Sequence, residues 1–161
     1  METFSQVINE FSKISHIREW NELQSLFQRV GLSKPKHWLL PYYTCEAVGG
    51  TQAQALPATL AVACAHIGIV LVDDMLDEDA RGEYIKLGKP AVANMAMALQ
   101  SAALHVIQRS AGLLGEPENL NQTCGTVEMS QNAKLLAIET VNDVFCYNHW
   151  SVLGCELNCQ R

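Results

Sequence analysis

One segment constrains this chain more than any other. Residues 56–72 are apolar almost without a break, interrupted only by Pro57, Thr59 and His66. They run straight into Asp73-Asp74-Met75-Leu76-Asp77-Glu78-Asp79-Ala80-Arg81-Gly82. A helix that is apolar all round has no face to give to water, so it belongs in the middle of a bundle. The stretch is somewhat short for a membrane span of roughly 18 or more apolar residues, and it ends in a block of acids. It is therefore expected to be a buried helix that does not span a membrane. Hydrophobic residues make up 48% of the 161 residues and charged residues only 17%, which excludes a disordered chain and supports one folded domain over residues 1–161.

The rest of the chain reads as helix around that centre. Phe4, Val7, Ile8, Phe11 and Ile14 recur at three- and four-residue intervals, and Trp20, Leu23, Phe27 and Val30 repeat the pattern before Gly31. This spacing predicts one bent helix or two short ones. A break at Ser33-Lys34-Pro35-Lys36 precedes a helix over Trp38 to Val48, stopped by Gly49-Gly50. Pro57 suits the first turn of the central helix. Arg81 to Pro90, with Gly82, Gly88 and Pro90, reads as a loop. Val92, Met95, Leu99, Ala103, Val106 and Ser110 then form one stripe of a further helix ending at Gly112. Helices near Val127–Ile138 and Phe145–Leu157 complete an all-α reading, with no β-alternation of useful length.

The formal net charge of −6 argues against nucleic acid and against an anionic membrane surface as partners. The first residues have neither a basic region nor an apolar one, so no signal peptide is expected, and the cysteines read as the reduced thiols of a cytoplasmic protein. Six cysteines occur without a Cys-x-x-Cys pair, and Cys155 and Cys159 lack companions for a metal site. His66 in the apolar helix is expected to be a satisfied core histidine rather than a ligand, His105 has no evident partner, and Met75, Met95 and Met97 are read as core fillers.

The acids are the chemical signal. An α-helix turns about 100° per residue, so Asp73 and Asp77 fall on one face with Asp74 beside them. Three carboxylates are thus expected to converge at one helix end. Acids at a helix C-terminus oppose the macrodipole by roughly 0.3–1 kcal/mol each. Like charges at i,i+4 cost roughly 0.2–0.5 kcal/mol more per pair. A hard cation such as Mg²⁺, which uses carboxylates, waters and phosphate oxygens, removes both penalties. A solvated acidic helix end is the plain alternative.

Asp73-Asp74-Met75-Leu76-Asp77 resembles the first aspartate-rich motif, DDxxD, of the trans-isoprenyl diphosphate synthases, also called polyprenyl synthetases. The Ala-rich helix before it, Arg81-Gly82 after it, and Gly88-Lys89-Pro90 agree with that family over roughly residues 36–110. The resemblance implies an all-α isoprenoid synthase bundle. It implies Mg²⁺-dependent condensation of an allylic diphosphate with isopentenyl diphosphate in isoprenoid biosynthesis. It makes Asp73, Asp74 and Asp77 the catalytic metal ligands, and Arg81 and Lys89 contacts of the substrate diphosphate. The growing prenyl chain would pass Ala65, Gly68 and Ile69, none of them aromatic, which reads either as a deep cavity or as close helix packing.

The departures matter as much. Lys36-His37-Trp38-Leu39-Leu40-Pro41 keeps the proline of the family's Gly-Lys-Arg segment but not its paired cations, for which Lys34, Lys36 and His37 substitute only in part. Asn142-Asp143-Val144-Phe145 is not a second aspartate-rich motif, and Ser130-Gln131 is at most a remnant of what precedes it. The chain therefore reads as an N-terminal half, a truncated bundle expected to work as a homo- or hetero-dimer. A non-catalytic subunit, pseudoenzyme or fragment that binds a partner is the alternative function.

Overall fold

The computed structural model describes residues 2–110, which form six α-helices and no strand. They are α1 (Glu2–Ser12), α2 (Asn21–Leu32), α3 (Leu40–Ala47), α4 (Gln52–Leu76), α5 (Tyr84–Leu87) and α6 (Lys89–Ser110), with a 3₁₀ turn at Lys36–Leu39 before α3. The expected helices after Gly112, and Ser130, Gln131, Asn142, Asp143, Cys155 and Cys159, lie outside the described residues. By contacts the chain divides into two units, Met1–Val106 and Ile107–Arg161. Of the second, the described part is the last turn of α6.

In the first unit α4 is the helix that the others share. α1, the 3₁₀ turn, α3 and α5 all pack on it, and α1 also packs on α2. The apolar spacing of the first thirty residues gives two helices because the chain turns between them. Ile14 and Ile17 lie in that turn, yet both are buried. The Phe11 and Phe27 rings stack at 3.7 Å between α1 and α2. Phe27 leads on to Trp38 at 5.5 Å, and Phe4 meets Trp38 at 6.3 Å. Gly31 lies inside α2 rather than beyond it. An added Cβ there would come within 2.8 Å of Ile8, so glycine permits the close approach of α1.

Other boundaries differ too: the helix expected over Trp38 to Val48 opens as the 3₁₀ turn Lys36–Leu39 and is α-helical only over Leu40–Ala47, and two further shifts have local reasons. α4 begins at Gln52, five residues before Pro57, because Thr51 and Gln54 form a capping box. The Gln54 N–H donates to Thr51 Oγ1 at 3.3 Å and the Thr51 N–H donates to Gln54 Oε1 at 2.8 Å. Pro57 then sits within the helix, and the carbonyl it leaves unbonded belongs to exposed Ala53. In the expected loop over Arg81 to Pro90, Tyr84–Leu87 makes one helical turn and α6 already starts at Lys89, after Gly88 at φ +84°.

The extra turns also correct the length argument. α4 and α6 are both long and apolar enough to cross a membrane by length and composition alone. Half of the apolar window of α4 is buried within the protein, and a third of that of α6. On α6 the stripe reads as expected at its start, with Val92, Met95, Leu99 and Ala103 buried. Met97 points outward at 69% exposure and is not a core filler, whereas Met95 is.

Candidate functional site

The acidic segment occupies the C-terminal end of α4. Asp73 and Asp74 belong to its last turn and Asp77 is its C-cap, with the Asp77 N–H donating to the Asp73 carbonyl at 2.9 Å. Glu78 follows in the left-handed region at φ +55°, and the Asp79 N–H donates back to the Asp74 carbonyl at 3.0 Å. These are features of a Schellman-type stop, in which glycine is the usual left-handed residue. Asp73 and Asp77 are exposed, one turn apart; Asp74 is half-buried.

Asp74 is half-buried because the following loop folds back over it. Gly82 is buried beside it, and an added Cβ would come within 3.0 Å of Asp74 Cβ and 2.7 Å of the Tyr84 ring. Loss of water, then the charges of Asp79 and Asp73, push the Asp74 carboxyl above its ordinary pKa. The three carboxylates share one end of α4, as expected, but do not draw together into a cluster. Among the described residues no three of His, Cys, Asp and Glu stand close enough together to hold a metal ion. The donor chemistry, carboxylate oxygen, fits a hard cation; the arrangement gives no preformed three-ligand centre.

The two cations assigned to the diphosphate are both engaged by acids of the same loop. Arg81 Nε donates to Asp79 Oδ1 at 3.0 Å and Nη2 to Oδ2 at 2.7 Å, while its backbone N–H donates to Oδ1 at 2.8 Å. The Arg81 hydrogen bonds hold Asp79 down at a pKa of about 2. Lys89 Nζ donates to Glu78 Oε1 at 3.3 Å and stands 5.5 Å from the centre of the Tyr84 ring. Arg29 of α2 reaches Glu83 at 2.6 Å, which ties the same loop to the N-terminal helices. Sequence reasoning did not find that pair, since nothing local joins residues 54 positions apart.

The positions assigned to a chain-length cavity resolve differently from one another. Gly68 is buried against α6, and an added Cβ would lie 3.3 Å from the Ala96 carbonyl oxygen. Its small size serves close packing of α4 on α6. Ala65 and Ile69 are half-buried on the same helix. His66 is the satisfied core histidine expected, with Trp38 Nε1–H donating to its Nδ1 at 3.1 Å. Indole is a donor only, so His66 Nδ1 must carry the lone pair and Nε2 the proton, which leaves no free ligating nitrogen in that tautomer. His105 has a partner after all, lying edge-on to His16 at 5.6 Å. Cys64 is fully buried, which pushes its thiol far up and leaves it unreactive.

Against this geometry the comparisons add no relative: no family model, no curated protein and no solved structure matches the chain.

Proposed function

We propose that the chain is polyprenyl diphosphate synthase-like, a helical bundle of the isoprenoid synthase type. In this reading it contributes the first aspartate-rich end to the Mg²⁺-dependent condensation of an allylic diphosphate with isopentenyl diphosphate. It acts within a homo- or hetero-dimer in the cytoplasm rather than alone, and α4 is a core helix and not a membrane span. The observation that carries the reading is the placement of Asp73, Asp74 and Asp77 at the end of a 25-residue apolar helix, with Arg81 in the loop that follows and Lys89 at the start of α6. Exposed Asp73 and Asp77 would hold Mg²⁺. The metal supplies neutralisation of the charge that develops on a departing diphosphate. Arg81 and Lys89 would bind diphosphate oxygens once released from Asp79 and Glu78. Calorimetric titration of a bisphosphonate tests this. Binding is expected to require Mg²⁺ and to be lost in Asp73→Ala/Asp77→Ala. Equal heats in the wild type and the double variant would overturn it.

A second reading, a non-catalytic subunit of the same fold, is favoured by the ion pairs that already occupy Arg81 and Lys89. It predicts that purified chain converts labelled isopentenyl diphosphate and allylic primers slowly or not at all. Robust product from the 161-residue chain alone would remove it.

A further inference from the structure

The 3₁₀ turn and α3 form a twelve-residue stretch, residues 36–47, that buries a single side chain, Trp38. Around it, Leu40 and Tyr43 are exposed, and the other members are exposed or half-buried. α3 packs along α4 as well, so what depends on the indole is the seating of the 3₁₀ turn that carries it. Rings of Phe4 and Phe27 pack on it, and its one polar atom donates to His66 Nδ1 at 3.1 Å.

That hydrogen bond admits only one protonation state of His66. The indole N–H cannot accept, so a proton on Nδ1 would set two donors against each other and leave a buried N–H without a partner. The His37 ring, 4.1 Å from the His66 ring, adds a second imidazole at the same place. We propose that Trp38 and His66 form a clasp, opened by protonation of His66, that loosens the 3₁₀ turn on α4.

The surroundings set where it opens. The elements packed on α4 carry Glu2 and Glu10 on α1, Lys36 and His37 in the 3₁₀ turn, Tyr42, Tyr43, Cys45 and Glu46 on α3, Tyr84 and Lys86 on α5, and Lys89, His105 and Arg109 on α6. Of these, His37 is the one whose charge acts on His66, and it does so in the same direction as burial, the larger cause. Together they lower His66 from 6.5 to about 4. The fold therefore favours the neutral ring. The clasp contributes fully above pH 6.5, and its contribution is lost as pH falls through the window from 6.5 towards about 4.

The test is a pH titration of the full chain by NMR, following the indole N–H resonances and the histidine ring protons. Trp20→Phe and Trp150→Phe assign the Trp38 signal. In the wild type the Trp38 N–H should shift and then exchange out in step with the His66 ring, ahead of the Trp20 N–H. His66→Asn supplies an amide oxygen that accepts without titrating, and the Trp38 signal should then persist through the same range. His37→Gln removes the neighbouring charge and should move the midpoint upward. A Trp38 resonance that ignores pH, that titrates alike in the wild type and His66→Asn, or that is lost together with Trp20 would overturn the clasp. Should His66→Asn not fold, the midpoint of His37→Gln decides alone: unchanged or lowered, it overturns the proposal.

Discussion

The two ends of α4 are built on opposite rules. At its start, Thr51 and Gln54 cap each other, and Gln52 Nε2 donates to Thr3 Oγ1 at 2.6 Å and to Gln6 Oε1 at 3.2 Å on α1. Polar groups there have partners, and the helix end has no charge to place. At its finish, the last turn has no basic residue, two acids stand in it and three more follow. The left-handed position falls to Glu78 instead of glycine. The end of α3 shows what the same stop is like when sequence and geometry agree. There Gly49 takes φ +84°, and the Gly50 N–H returns to the Cys45 carbonyl at 2.8 Å. The chain thus follows the local rules at one end of this helix and breaks several at the other, where Arg81 and Lys89 offset part of the cost through ion pairs with Asp79 and Glu78.

That contrast is open to being broken. The largest effect belongs to the packed part of α4. Leu60, only 4% exposed, should lose about 2–4 kcal/mol on replacement by alanine, read as a lower urea midpoint. A loss below about 1 kcal/mol would mean the core is looser than its burial indicates. Next comes the cap: Thr51→Ala should cost about 1 kcal/mol in the same assay. The smallest change has the opposite sign. Glu78→Gly relieves a left-handed residue and gives up only an exposed ion pair with Lys89, so thermal or urea unfolding should show a gain of about 0.5–1 kcal/mol. If Glu78→Gly destabilises the protein, the acidic end is not the compromised one and the comparison fails.

Periodic burial was the legible part of this fold. Val7, Phe11, Leu23, Phe27, Val92, Met95 and Leu99 are buried where three-and-four spacing put them, because that spacing reports one face of a helix directly. Helix starts were less legible. Pro57 is a conspicuous signal for a first turn, but Thr51-x-x-Gln54 is the operative one and is quieter in the sequence. The DDxxD segment was visible as composition and lies where it was placed, at the end of the apolar helix. What helical spacing could not disclose is that the helix stops at Leu76, so Asp77 is a cap and Asp74 is turned under the loop at Gly82. Nor could it show that Arg81 would spend its guanidinium on Asp79, two residues away. The Trp38–His66 bond was beyond reach for a different reason: it joins an irregular turn to a helix 28 residues on, and no local pattern encodes such a meeting.

That separation has a consequence in time. During synthesis at roughly 5–20 residues per second, His66 is made about 1.5–6 s after Trp38. Closing a short loop takes well under a microsecond, and helices form about as fast. The Phe11–Phe27 stack between α1 and α2 therefore has ample opportunity to assemble while the nascent chain still ends before α4. Trp38 can join those aromatic rings early, but its indole N–H must remain with water until the middle of α4 has been added. The order of the sequence thus makes the aromatic cluster a waiting platform, and the arrival of His66 the event that completes it.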